Sequence, residues 1–136
     1  MSEYNTLMDL LVARHSCRGF LKDEVSEDLI GKVVTAAGRA PSWCNAQPWQ
    51  VIVTRGAETD RLRDALVESA TSRPESPDVP GPEGYTGAHR DRRRTCGWQL
   101  YEAVGVEKGD RAGSARQALE NFRFFGAPHT AILTSG

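Results

Sequence analysis

The sequence predicts an α+β chain with helices packed on a central β-sheet. Apolar residues recur at helical spacing in several segments. Two short runs that read as strands, Trp49–Thr54 and His129–Thr134, are separated by long helical stretches. The order is α, α, β, α, loop, α, α, β, with no internal repeat. Two strands alone make a poor sheet. The pattern therefore also predicts that sheet and core are completed by further chain or by a partner.

The first helix is expected over about Glu3–Ala13, where Leu7, Met8, Leu10 and Leu11 form an apolar stripe and Ser2 or Asn5 can cap the start. A polar break follows at Arg14–Arg18, then Phe20 and a loop. Ser26 precedes two acids, Glu27 and Asp28, and a periodic apolar run of Leu29, Ile30, Val33, Val34 and Ala37. A hydroxyl cap with acids in the first turn is a strong helix start, and Pro41 sets its limit. The stretch Ser42–Pro48 is rich in turn formers, and Trp49–Thr54 reads as a buried strand.

Ala57–Ser72 has an amphipathic helical pattern, with Leu62, Ala65, Leu66 and Ser69 on one face. Arg73–Gly84 carries Pro74, Pro77, Pro80 and Pro82 together with two glycines, which excludes regular structure. Helical patterning resumes over Gly87–Val104 and again over Ala112–Phe124, where Pro128 marks the limit before the second strand.

The net charge of −1 gives no general attraction to nucleic acid or to an anionic membrane, and neither is expected as a partner. Cys17, Cys44 and Cys96 are odd in number and scattered, which argues against a disulfide framework and against zinc spacing. They are expected to be small buried hydrophobes. No metal site is expected, and His89 and His129 show no ligand spacing. The polar N-terminus leads into no apolar run long enough for a signal core or span, so a cytoplasmic location is expected.

Two constellations carry possible chemistry. In Arg14-His15-Ser16-Cys17-Arg18, two guanidinium forks, a hydroxyl and an imidazole lie within five residues at the end of a helix. Guanidinium suits phosphate oxygens, and an extended backbone would put Arg14, Ser16 and Arg18 on one side. Charge and spacing alone favour the plainer reading, a solvated basic helix terminus. In Ala40-Pro41-Ser42-Trp43-Cys44-Asn45-Ala46-Gln47-Pro48-Trp49, two amides that donate and accept stand among tryptophans. That mixture suits a flat heteroaromatic with a polar edge. It equally suits a turn in which Ser42 and Asn45 bond local backbone and the tryptophans fill a core.

Together the two segments resemble the nitroreductase family. Arg14-His15-Ser16-x-Arg18-x-Phe20 is similar to one of its elements, and Ala40-Pro41-Ser42-x-x-Asn45-x-Gln47-Pro48-Trp49 to another. Leu100-Tyr101-x-x-x-Gly105-Val106 and Asn121-Phe122-x-Phe124-Phe125-Gly126-Ala127-Pro128 look like its later helices and strand. The resemblance spans nearly the whole chain, so residues 1–136 are expected to form one nitroreductase-like FMN-binding domain. Family domains continue further, which implies that this one is C-terminally incomplete. The remainder normally adds sheet, a dimer-wrapping segment and further FMN contacts.

The resemblance implies a flavin site at a homodimer interface. Arg14, His15, Ser16 and Arg18 would hold the FMN phosphate and ribityl chain. Pro41, Ser42 and Asn45 would line the isoalloxazine ring from the other subunit, with Gln47 a weaker member of the same set. It implies an NAD(P)H:acceptor oxidoreductase, in which NAD(P)H reduces FMN and an electron-poor nitroaromatic or quinone is then reduced in ping-pong fashion. No side chain need act as a catalytic nucleophile. The alternatives are a flavin-dependent dehydrogenase or dehalogenase of the same fold, or a truncated member that binds flavin weakly and is not catalytic. The basic run Arg90–Arg94 reads as a solvated helix face, with dinucleotide phosphates as the functional alternative.

Overall fold

A computed structural model describes residues 2–135. Five α-helices and two β-strands are present among them. Helix α1 spans Glu3–Ala13, and the Ser2 hydroxyl accepts from the Asn5 amide at 3.3 Å. Helix α2 spans Glu27–Ala37, and Ser26 caps it by accepting from the Leu29 amide at 3.3 Å. Each cap satisfies one of the amides that a helix start leaves unpaired.

Strand β1 (Trp49–Arg55) pairs antiparallel with β2 (His129–Ser135), from Trp49 opposite Ser135 to Arg55 opposite His129. The sheet has these two strands. The expectation of a buried first strand is corrected: β1 is exposed along almost all of its length, because neither face of the narrow sheet is covered over most of that length.

The chain divides into two compact units. Ala57–Arg123 forms one, and the flanking stretches of chain form the other. The flanking unit holds α1, α2 and the sheet. In it, Arg55 meets Glu27 at 3.1 Å. Both side chains are exposed, so this pair contributes at most about 1 kcal/mol.

The central unit holds α3 (Ala57–Ser72), α4 (Gly87–Ala103) and α5 (Arg111–Leu119). Arg63 of α3 pairs with Asp60 and donates from Nε to the Arg123 carbonyl at 3.0 Å. Residues 73–86, the proline-bearing stretch, are irregular as expected. Trp98 and Tyr101 on α4 meet edge to face at 6.0 Å between ring centroids. Helix α5 starts at Asp110, whose carboxylate accepts from the Gly113 amide at 2.8 Å. A Cβ at position 113 would lie 2.2 Å from that carboxylate, so a larger residue there would require the Asp110 side chain to shift.

Helix α5 is shorter than its apolar pattern suggests. It ends at Leu119, and Phe124 and Phe125 then take left-handed φ values of 56° and 51°. A helix cannot run through two such residues.

Among the described residues no hydrophobic side chain is fully buried. Leu7, Leu10 and Leu11 of α1 and Leu29 and Val33 of α2 are all more than half exposed. The three cysteines are exposed as well, which corrects the expectation that they are buried. The amphipathic stripes formed as the periodicity required, and nothing among the described residues fully covers them. No helix among them is long and apolar enough to cross a membrane.

Candidate functional site

Both sequence-predicted segments lie in the flanking unit. The first leaves α1 at Arg14, whose backbone is extended (φ −68°, ψ 124°). From there to Phe20 the chain is irregular and exposed. It is tied at its far end, where the Phe20 amide donates to the Phe125 carbonyl at 3.1 Å. That carbonyl belongs to the left-handed turn Phe124–Gly126, so the turn presents an acceptor to this segment.

The side chains of Arg14, Ser16 and Arg18 make no ion pair and no hydrogen bond among the described residues. Arg39, Arg73, Arg92, Arg93, Arg94 and Arg111 also lack a carboxylate partner among the described residues, while Arg55, Arg61, Arg63, Arg90, Arg116 and Arg123 are each paired with one. Two uncommitted guanidinium groups and a hydroxyl within five residues fit a phosphate monoester, which needs several charged donors at once. His15 is partly committed. Its Nδ1 lies 3.0 Å from the Ala13 carbonyl, which can only accept, so Nδ1 carries the proton. In the neutral ring the remaining nitrogen is then an acceptor, and His15 can donate to a phosphate oxygen only as imidazolium.

The second segment follows α2. Pro41 enters it, Ser42 is extended (φ −134°, ψ 159°), and a short turn covers Trp43–Asn45. Cys44, Asn45 and Gln47 have φ values of 49°, 53° and 50°. Asparagine tolerates this region, whereas for other side chains it costs about 1–2 kcal/mol per residue. Internal bonds hold the shape. The Ser42 hydroxyl accepts from the Gln47 amide at 2.9 Å. The Gln47 side-chain amide donates to Asn45 Oδ1 at 2.8 Å and to the Ala40 carbonyl at 3.4 Å. The Asn45 amide donates to the Ser42 carbonyl at 3.0 Å.

Ser42, Asn45 and Gln47 are thus brought together as one network. The Ser42 hydroxyl proton and the Asn45 side-chain nitrogen, Nδ2, remain available to an outside acceptor. The tryptophans do not fill a core: Trp43 is 89% exposed and Trp49 43%. Local bonding by Ser42, Asn45 and Gln47 matches the turn reading, and the open indole of Trp43 does not. A strained, internally bonded loop with outward polar edges fits the rim of a planar heteroaromatic. No hydrogen bond or ion pair joins this loop to the Arg14–Arg18 segment among the described residues.

Sequence reasoning missed the double left-handed turn at Phe124 and Phe125 and the position of His129. Gly126 and Pro128 mark a break there, but no local pattern shows that the break faces Phe20.

Residues 11–135 match the Nitroreductase family profile. Nitroreductase NfnB of Mycolicibacterium smegmatis is 39% identical over 125 residues, covering 91% of this chain and 53% of the relative. Nitrobenzene nitroreductase of Ectopseudomonas oleovorans is 34% identical over 129 residues, covering 93% of this chain and 57% of the relative. The crystal structure of the FMN-dependent nitroreductase NfnB from Mycobacterium smegmatis in complex with NADPH superposes with a TM-score of 0.89 at 36% identity, over 98% of this chain and 61% of that one. The chain spans about half the length of the curated relatives it matches. With an α+β fold shared at that level and a family match that includes Arg14–Arg18 and Pro41–Gln47, this chain belongs to the nitroreductase family.

Proposed function

We propose that residues 1–136 act as the FMN-binding domain, or the greater part of it, of an oxidoreductase that moves electrons from NAD(P)H to a small electron-poor acceptor. Arg14 and Arg18 hold the phosphate, with Ser16 and, when protonated, His15 as further donors. Ser42 and Asn45 meet the polar edge of the isoalloxazine, while Pro41 and Gln47 keep that loop in shape. When bound, FMN supplies the redox chemistry, taking electrons from NAD(P)H and delivering them to a nitroaromatic or quinone in alternating half-reactions. The chain's own residues bind and orient the cofactor, and none is needed as a nucleophile.

The observation that carries this reading is the contrast among arginines. Eight of the fourteen lack a carboxylate partner among the described residues, and of these only Arg14 and Arg18 flank a free hydroxyl, Ser16, on an exposed, irregular stretch of chain. The relatives support it, since one is FMN-dependent with NADPH bound and others are named for nitroaromatic reduction.

The exposed stripes of α1 and α2 favour a homodimer, in which a second subunit covers them and brings its own Pro41–Gln47 loop to the phosphate segment. A cytoplasmic enzyme acting on diffusible acceptors is the matching setting, and the net charge of −1 offers nothing to nucleic acid or to a membrane surface.

The test is an absorbance spectrum with intact mass, followed by FMN titration and NADPH oxidation with and without a nitroaromatic. A flavin spectrum and acceptor-dependent oxidation are expected. The same uncovered faces favour a second reading, in which this chain alone binds flavin poorly and turns nothing over. Colourless protein that ignores added FMN would select it.

A further inference from the structure

His129, the first residue of β2, bridges two parts of the flanking unit that are far apart in sequence. Its Nε2 lies 2.9 Å from the Val25 amide, and its Nδ1 lies 3.3 Å from the Thr54 carbonyl. These two partners determine the state of the ring. A backbone amide can only donate, so Nε2 must be bare; a carbonyl can only accept, so Nδ1 must carry the proton. Both bonds exist only in the neutral Nδ1–H form. A protonated ring has no lone pair for Val25, and the Nε2–H tautomer makes neither bond, setting donor against donor at Val25 and acceptor against acceptor at Thr54.

The location gives the bond a consequence. Val25 lies just before the Ser26 cap of α2 and closes the irregular stretch that begins at Arg14. That stretch is tied across to the chain end of the unit at two points, Phe20 to Phe125 and Val25 to His129. The first is a backbone pair that does not titrate between pH 5 and 8, and the second depends on one imidazole. The charged groups around the ring are Glu24, Glu27 and Arg55, which line the same hollow. Arg55 is engaged by Glu27, and the Glu24 carboxylate is available to attract a cationic ring away from Val25.

We propose that His129 is a positioning residue: in its neutral form it clasps the loop between α1 and α2 to the sheet, and acid releases that clasp. The clasp is a property of the chain alone. Its effect on flavin rests on the cofactor reading above, because the clasped loop carries Arg14, Ser16 and Arg18.

Two measurements on the intact chain test it. A long-range proton–nitrogen spectrum of the imidazoles at pH 8, without FMN, should show His129 as the Nδ1–H tautomer, and the Val25 amide proton should shift together with that ring's titration. The Nε2–H tautomer, or a Val25 amide indifferent to the ring, would overturn the clasp. FMN affinity is then followed by fluorescence from pH 8 to 5. His129→Ala should bind about fivefold to tenfold more weakly at pH 8, the size expected for one neutral hydrogen bond. His129→Gln can still accept from Val25 and donate to Thr54 without titrating, so it should restore affinity and lose less of it at pH 5 than the wild type. The difference between the His129→Gln and wild-type profiles separates position 129 from His15. Identical profiles would overturn the positioning role. FMN binding absent from every form at every pH would instead overturn the cofactor reading, with the tautomer and the Val25 amide still deciding the clasp.

Discussion

The two candidate binding segments solve the same problem in opposite ways. Pro41–Gln47 is rigid from within: Ser42, Asn45 and Gln47 bond one another, and three left-handed residues are held in place. Arg14–Arg18 has almost no internal bonding, and its polar side chains, His15 Nδ1 and the Cys17 thiol apart, stand free among the described residues. It is positioned from outside, by the end of α1 and by the ties at Phe20 and Val25. The contrast fits the proposed ligand parts. A planar ring is recognised by shape and by a few fixed polar contacts, which favours a preset loop. A phosphate is recognised mainly by charge, and guanidinium groups on flexible stems can converge on it when it arrives.

The largest expected effect comes from the open segment. Arg14→Ala and Arg18→Ala should each weaken FMN binding by about tenfold to a hundredfold, the range for a hydrogen bond to a charged group. Both should leave unfolding free energy within about 0.5 kcal/mol of wild type, since neither side chain has an internal partner. Calorimetric titration and denaturant melts on the same samples check the pair of outcomes. Loss of stability with unchanged affinity would reverse the assignment.

The preset loop should behave in the other sense. Cys44→Val places a β-branched residue at φ 49° and should destabilise the chain by about 1–2 kcal/mol, whereas Cys44→Gly should be close to neutral as relieved strain offsets lost rigidity. Chemical denaturation of the two variants is the measurement, and equal stabilities would show that the loop stores no strain. A smaller effect is expected from Ser42→Ala, which removes the acceptor for the Gln47 amide at a cost of about 1 kcal/mol. Amide exchange at Gln47 should accelerate in this variant. Unchanged protection there would mean that the hydroxyl does not hold the loop.

Local chemistry accounts for much of the fold. Ser2 and Ser26 sit before their helices as hydroxyl caps should, and α1, α3 and β1 begin where the patterns place them. These features were legible because a cap, an acid in the first turn and a 3.6-residue period act within a few positions of chain. Helix α5 stops short of its apolar spacing because from Glu120 onward the amides bond three residues back, Glu120 to Gln117, Asn121 to Ala118 and Phe122 to Leu119, a tightening that apolar spacing does not report. β1 and the cysteines are exposed although their residue types favour burial, because burial needs a second surface as well as apolar side chains.

The sequence by itself determined the family, the helix starts, the irregular proline stretch and the two segments rich in candidate ligands, since all of these are written in short runs of adjacent residues. Tertiary structure alone decided three things. It showed which arginines are left without partners, that Ser42, Asn45 and Gln47 form one network on a left-handed backbone, and that His129 reaches back to Val25 across about a hundred residues. The reason is physical. A hydrogen bond depends on distance and direction in space, and nothing local in the chain specifies which remote donor a folded side chain will meet.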